Sequence, residues 1–117
     1  MNSQRKLKIE SEIVKTISKL IVSGKVKDHR IGLVSVHRAD LSEDMSHVKV
    51  WVTSYIPENE IANFMKGLKS ASGYIQSIVG KELGLRITPK ISFVWDEAYI
   101  KGFQVNQLID ELSQKTE

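Results

Sequence analysis

The stretch that decides the fold is Lys66–Trp95, KGLKSASGYIQSIVGKELGLRITPKISFVW. A helical pattern there meets Ser-Ala-Ser-Gly at residues 70–73, resumes, and passes through Leu85-Arg-Ile-Thr-Pro89 into a strand. Ile75, Ile78, Val79 and Leu83 carry the resumed apolar stripe until Gly84 ends it, and the alternation of Ile91, Phe93 and Trp95 marks the strand. Small residues weaken a helix, glycine by about 1 kcal/mol relative to alanine, yet they let a backbone turn sharply or lie close against another polymer. The pattern predicts two helical pieces joined by a kink at Gly73. With Lys66 and Lys69 beside it, such a bend is the kind of surface on which an RNA backbone sits.

Working outward, Ile61, Phe64, Met65 and Leu68 supply the stripe of the first piece. Pro57, Glu58 and Glu60 suit its N-terminus sterically and electrostatically. Upstream lie two predicted strands, Ile31–Arg38 (IGLVSVHR) and His47–Tyr55 (HVKVWVTSY), antiparallel and joined by a polar hairpin loop. Leu7, Ile13, Val14, Ile17, Leu20 and Ile21 recur at helical spacing before Gly24, a stop signal. Val105, Leu108, Ile109 and Leu112 suggest a short final helix. The order is helix, strand, strand, helix, kink, helix, strand, helix: an α+β fold in which helices cover one face of a three-stranded sheet.

At 117 residues the chain suits one domain spanning residues 1–117, with 1–5 and 113–117 expected to be loose. Its 41% hydrophobic and 26% charged residues are those of a soluble globular protein. No apolar run approaches a membrane span and the start lacks a signal-peptide core, so a cytosolic protein is expected. Without cysteine there are no disulfides, zinc-thiolate sites or thiol nucleophiles. Residues 1–95 hold 15 Lys/Arg against 9 Asp/Glu, whereas residues 96–117 hold 2 against 5. A basic body with an acidic C-terminal segment favours a polyanionic partner for the body.

Four segments together resemble the ribosome-binding factor A family. They are Asp28-His-Arg-Ile-Gly-Leu-Val-Ser-Val36, Asp40-Leu-Ser-Glu-Asp-Met-Ser-His-Val-Lys-Val50, Leu68–Tyr74, and Leu85-Arg-Ile-Thr-Pro-Lys-Ile-Ser-Phe-Val-Trp-Asp96, the last like Leu-Arg-x-x-Pro-x-Leu-x-Phe-x-x-Asp. The resemblance implies a type II KH-like fold. RNA-binding KH domains clamp the sugar-phosphate chain with a Gly-x-x-Gly loop between two helices. This chain has none, and Ala71-Ser72-Gly73 stands in its place, similar to the family's Ala-x-Gly kink. The resemblance further implies binding to free 30S subunits, on 16S ribosomal RNA near its 5′ region and the decoding neck, during late maturation. It also implies coupling to an assembly GTPase and importance in the cold.

For RNA contact the candidates are Lys66, Lys69, Arg86 and Lys90 around the small-residue segment Ser70, Ala71, Ser72 and Gly73. Arg5, Lys6 and Lys8 form a second patch, and Arg38 and Lys49 extend it on the strands. Lysines and arginines at such positions place phosphates without reading bases. Tyr74 has two readings, base-stacking or core, whereas Trp51 and Trp95 read as core or sheet-surface residues.

No catalytic set emerges. His29, His37 and His47 lack ligand spacing, and Asp40, Glu43 and Asp44 read as a solvated hairpin loop rather than a calcium loop. Gly67-Leu-Lys-Ser70 lacks the upstream glycine and adjacent Gly-Lys of a phosphate-binding loop, and there is no Gly-x-Ser-x-Gly elbow. The expectation is a monomeric, non-enzymatic RNA-binding assembly factor without metal or cofactor. A general RNA chaperone and a protein-only adaptor are the alternatives.

Overall fold

A computed structural model describes residues 3–115 of the chain. Helix α1 (Ser3–Val22) precedes strands β1 (Ser35–Leu41) and β2 (His47–Thr53). A 3-10 turn at Glu58–Glu60 then leads into α2 (Ile61–Leu83), followed by β3 (Lys90–Trp95) and α3 (Glu97–Lys115). β2 is the central strand, antiparallel to β1 and parallel to β3. A parallel neighbour cannot be reached through a tight turn, and α2 is the crossover that makes the pairing possible.

The alternation read from the sequence is realised in the pairing. Val48, Val50 and Val52 stand beside Ile91, Phe93 and Trp95 on one face of the sheet. Against that face α1 packs Ile13, Ile17 and Leu20 while α2 packs Phe64, Leu68, Ile75 and Val79, forming one contiguous core. Each such side chain contributes about 1.5–3 kcal/mol by leaving water. The opposite face of the sheet carries Arg38, Asp40, His47, Lys49 and Ser92, all exposed. The α+β, KH-like architecture with helices on one face is thus the one expected.

Several details depart from the sequence reading. α2 is one α-helix from Ile61 to Leu83, so the division into two pieces at residues 70–73 is absent. The reason is the apolar stripe. Phe64, Leu68, Ile75 and Val79 are buried in one helical register, and half-buried Ala71 fills the gap between the two halves. Ser72 and Ser77 turn their hydroxyls back onto the carbonyls of Lys69 and Tyr74, at 2.7 and 2.8 Å, so serine accommodates itself to the helix. β1 begins at Ser35 rather than Ile31, because Asp28–Ile31 forms a hydrogen-bonded turn, and it bulges at His37.

Both predicted helix stops hold. Gly24 and Gly84 have φ of +74° and +58°, where glycine has no Cβ penalty. At Gly84 the amides of Gly84 and Leu85 return to Lys81 and Gly80, closing the helix in a Schellman motif. Of the ends expected to be loose, residues 3–5 lie in α1 and 113–115 in α3, while 1–2 and 116–117 lie outside the described residues.

α3 is longer than the short helix expected, and it is exposed from Lys101 to Leu112. The Asp96 carboxylate, largely buried, accepts the Tyr99 amide at 3.1 Å as an N-cap. Tyr99 stacks on His37 with centroids 3.8 Å apart. Asp96→Ala is expected to cost about 1 kcal/mol and to fray the start of α3, seen as lost helical circular dichroism with the sheet intact.

Candidate nucleic-acid interface

The edge of β3 is not paired with another strand among the described residues, and α2 runs alongside it. Between them lies a groove of about 470 Å³. Met65, Ile91 and Phe93 give it an apolar floor, and Lys66, Lys69, Ser72 and Lys90 stand around it. The helical spacing of Lys66, Lys69 and Ser72 brings them to one side of α2, and Lys90 meets them as the first residue of β3. All three lysines are exposed, open to a partner from solvent. An apolar floor for base faces beneath a cationic rim for phosphates suits a single-stranded polyanion.

The other sequence-predicted residues fall into separate groups. Ser70 and Ala71 line a different hollow, facing Lys25, Val26 and Lys27 of the α1–β1 link, with Tyr74 between them. Tyr74 is 45% exposed and its ring is therefore not a core residue. Arg5, Lys8 and Arg86 surround a third hollow with Asp44 and Met45. Lys6 turns away to Asp40 and Glu43, at 3.8 and 3.9 Å. Arg38 lies over Trp51 on the open sheet face, 4.0 Å from the ring centroid, and Lys49 stands on the same face opposite Asp40. Trp95, by contrast, is half-buried and meets Phe64 edge to face.

Gly73 is exposed, and a Cβ there would meet nothing within 4 Å. Gly67 and Gly80 are different. A Cβ on Gly67 would lie 2.9 Å from Arg30 Cβ and 3.1 Å from Ile31, and one on Gly80 would overlap the Thr88 hydroxyl. These two glycines let α2 close on the loops at either end. Sequence reasoning did not single out these two, because close approach within a chain depends on the tertiary fold. It also passed over Lys25 and Lys27, whose signal is no more than a pair of lysines beside a helix stop.

Two aspartates organise the loops that frame these surfaces. Asp28 accepts the Arg30 amide at 2.9 Å and the Arg30 guanidinium through both carboxylate oxygens, at 2.9 and 2.6 Å. The Arg30 side chain and amide hold the Asp28 carboxyl well below the usual range. Asp44 accepts the hydroxyl and amide of Ser46 and the hydroxyl of Ser42, which hold its pKa down at about 2, from 3.8. Both folded values lie below the unfolded ones. Their stabilisation is therefore complete above about pH 4 and is lost as pH falls, Asp44's between about 4 and 2 and Asp28's over a window that opens at the same pH and extends lower. Urea midpoints measured from pH 5 to 2 should decline, and Asp44→Asn should flatten the decline in the 4-to-2 window.

Among the described residues no group of three or more His, Cys, Asp or Glu is placed to hold a metal ion, and no helix is long and apolar enough to cross a membrane. His37 Nε2 meets Thr53 Oγ1 at 2.7 Å, and His47 Nδ1 meets Ser46 Oγ at 2.8 Å.

The family model "Ribosome-binding factor A" matches residues 5–109. Ribosome-binding factor A of Leptospira biflexa serovar Patoc is 47% identical over 116 residues, covering 99% of this chain and 78% of that one. The solution NMR structure of a Thermotoga maritima protein superposes with a TM-score of 0.70 at 27% identity, covering 80% of this chain and 89% of its own. A homology model of Thermus thermophilus ribosome binding factor A, fitted into the cryo-EM map of its complex with 30S, gives 0.64 at 22% identity, covering 80% and 97%. The chain belongs to the ribosome-binding factor A family.

Proposed function

We propose that this chain is a non-catalytic assembly factor that binds 16S ribosomal RNA in free 30S subunits during late maturation. In this reading the whole chain acts as one RNA-binding domain, monomeric and cytoplasmic, and supports processing of the RNA 5′ region and growth in the cold. The observation that carries the proposal is the groove between α2 and the β3 edge, with its apolar floor and three free lysines. Family membership and the 30S complex of the Thermus relative support the choice of the 30S subunit as partner.

The mechanism is differential binding. Contacts open in an immature subunit hold the factor, and their loss on maturation, or on action of an assembly GTPase, releases it. Phosphate contacts from Lys66, Lys69 and Lys90 in the groove, Arg5, Lys8 and Arg86 in the neighbouring hollow, and Lys25 and Lys27 near Ser70 and Ala71 position the RNA by charge.

A test in cells follows. Removal of the gene should cause 16S precursors with unprocessed 5′ ends to accumulate and growth to slow at low temperature. Wild-type protein should restore both, and the Lys66, Lys69 and Lys90 alanine variant should not. Full rescue by that variant would remove the groove from the account.

One observation favours a second reading, a protein-docking role. Val105, Leu108, Ile109 and Leu112 form a stripe on α3 that is 54–56% exposed. Binding to 30S that survives high salt but not loss of α3 would support it.

A further inference from the structure

The open face of the sheet has a directional pattern. Along β2 and β3 the rungs run His47 beside Lys90, Lys49 beside Ser92, and Trp51 beside Val94. Alternate residues of a strand share a face, so the Lys90 and Trp51 rungs are about 13 Å apart, a few nucleotides of extended RNA. Lys90 serves two surfaces, because it also borders the α2–β3 groove. At the far end Trp51 is half-buried, with the Arg38 guanidinium already 4.0 Å above its ring. An arginine over an indole covers that ring face and presents the outer face of its guanidinium, on which a base can stack and extend the Arg38–Trp51 stack. Asp40 is the acidic side chain that interrupts this face, opposite Lys49, and it is drawn toward Lys6 on α1.

We infer that a single strand of RNA held in the groove continues around the β3 edge at Lys90, along Lys49, and stacks a base on the Arg38–Trp51 pair of the open sheet face. The inference rests on the groove reading above. It adds a second binding surface on the side of the sheet away from the helices. Charge complementarity selects the occupant, since the rungs leading to Trp51 present lysine, histidine and serine rather than acids.

The test uses the full-length protein with Trp95→Phe, so that Trp51 is the fluorescent reporter. The probes are two mixed-sequence single-stranded RNA oligonucleotides, one of about 4 nucleotides that fills the groove alone and one of about 12 that reaches the sheet face. The long probe should quench Trp51 and the short one should not. Trp51→Leu should weaken the long probe by about 5- to 150-fold, the range for one stacked base, with the salt slope and the short probe unchanged. Arg38→Gln, an exposed change that leaves the core intact, should weaken the long probe alone as well. Groove binding without quenching, and equal affinity of the long probe for wild type and both variants, would overturn the inference and leave the groove standing. Loss of both probes alike in Trp51→Leu and Arg38→Gln would also overturn the continuous path. Failure of both probes to bind would overturn the groove reading and the inference together.

Discussion

Gly80→Ala is expected to lower the unfolding free energy by about 1–3 kcal/mol, the cost of forcing a methyl into an already packed contact. The new Cβ would overlap the Thr88 side chain, whose hydroxyl, methyl and Cβ all crowd the position. Thr88 has little freedom to retreat, because it is β-branched and precedes Pro89, a fully buried residue with fixed φ. Either α2 shifts off the sheet or β3 moves at its start, and in both cases the groove between them changes shape. Gly73→Ala on the same helix is expected to add up to about 1 kcal/mol, since nothing lies within 4 Å and helix propensity alone acts there. Urea denaturation of the two variants should therefore give shifts of opposite sign. Gly73→Ala also separates stability from function: the same variant should bind small subunits less well where an RNA backbone passes over the exposed helix surface at that residue.

The second large effect concerns binding. Replacing Lys66, Lys69 and Lys90 together with alanine should weaken single-stranded RNA by about 100-fold, taking each exposed and screened phosphate contact at about 1 kcal/mol. The slope of log affinity against log salt should become shallower by about 2, since each phosphate contact on a single strand contributes about 0.7. These lysines are exposed and have no ion-pair partner among the described residues, so stability should stay within about 0.5 kcal/mol of wild type. An unchanged salt slope would place the phosphate contacts elsewhere, with the cluster of Arg5, Lys8 and Arg86 the next surface to neutralise.

What could be read from the sequence was what depends on local period and local chemistry. The valines of β2 and the Ile91–Phe93–Trp95 alternation fixed which face is buried. Gly24 and Gly84 marked the helix stops because a left-handed φ is a local demand. The continuity of α2 could have been read as well, since Phe64, Leu68, Ala71, Ile75 and Val79 keep one register through the small residues. There a propensity argument was allowed to outweigh the stripe, and burial of four large side chains outweighs the few tenths to about 1 kcal/mol that serine and glycine cost.

The site was only partly legible. Lys66, Lys69, Ser72 and Lys90 do converge, but Lys6 is engaged by Asp40 and Glu43, and Arg38 and Lys49 belong to the opposite face. Which basic residues share a surface depends on how α2 lies against β3. That placement is set by the Gly67–Arg30 contact, a pair distant in the chain, and by the Gly80–Thr88 contact across the α2–β3 link, and no periodicity announces either.

The measurement that bears most directly on the account is co-sedimentation of the purified protein with free small subunits, free large subunits and intact ribosomes through sucrose gradients over a salt series, run beside the triple lysine variant. The account predicts selective association with free small subunits that falls steeply with salt and is lost in the variant. Association with none of the three at low salt, or undiminished association of the variant, would contradict it.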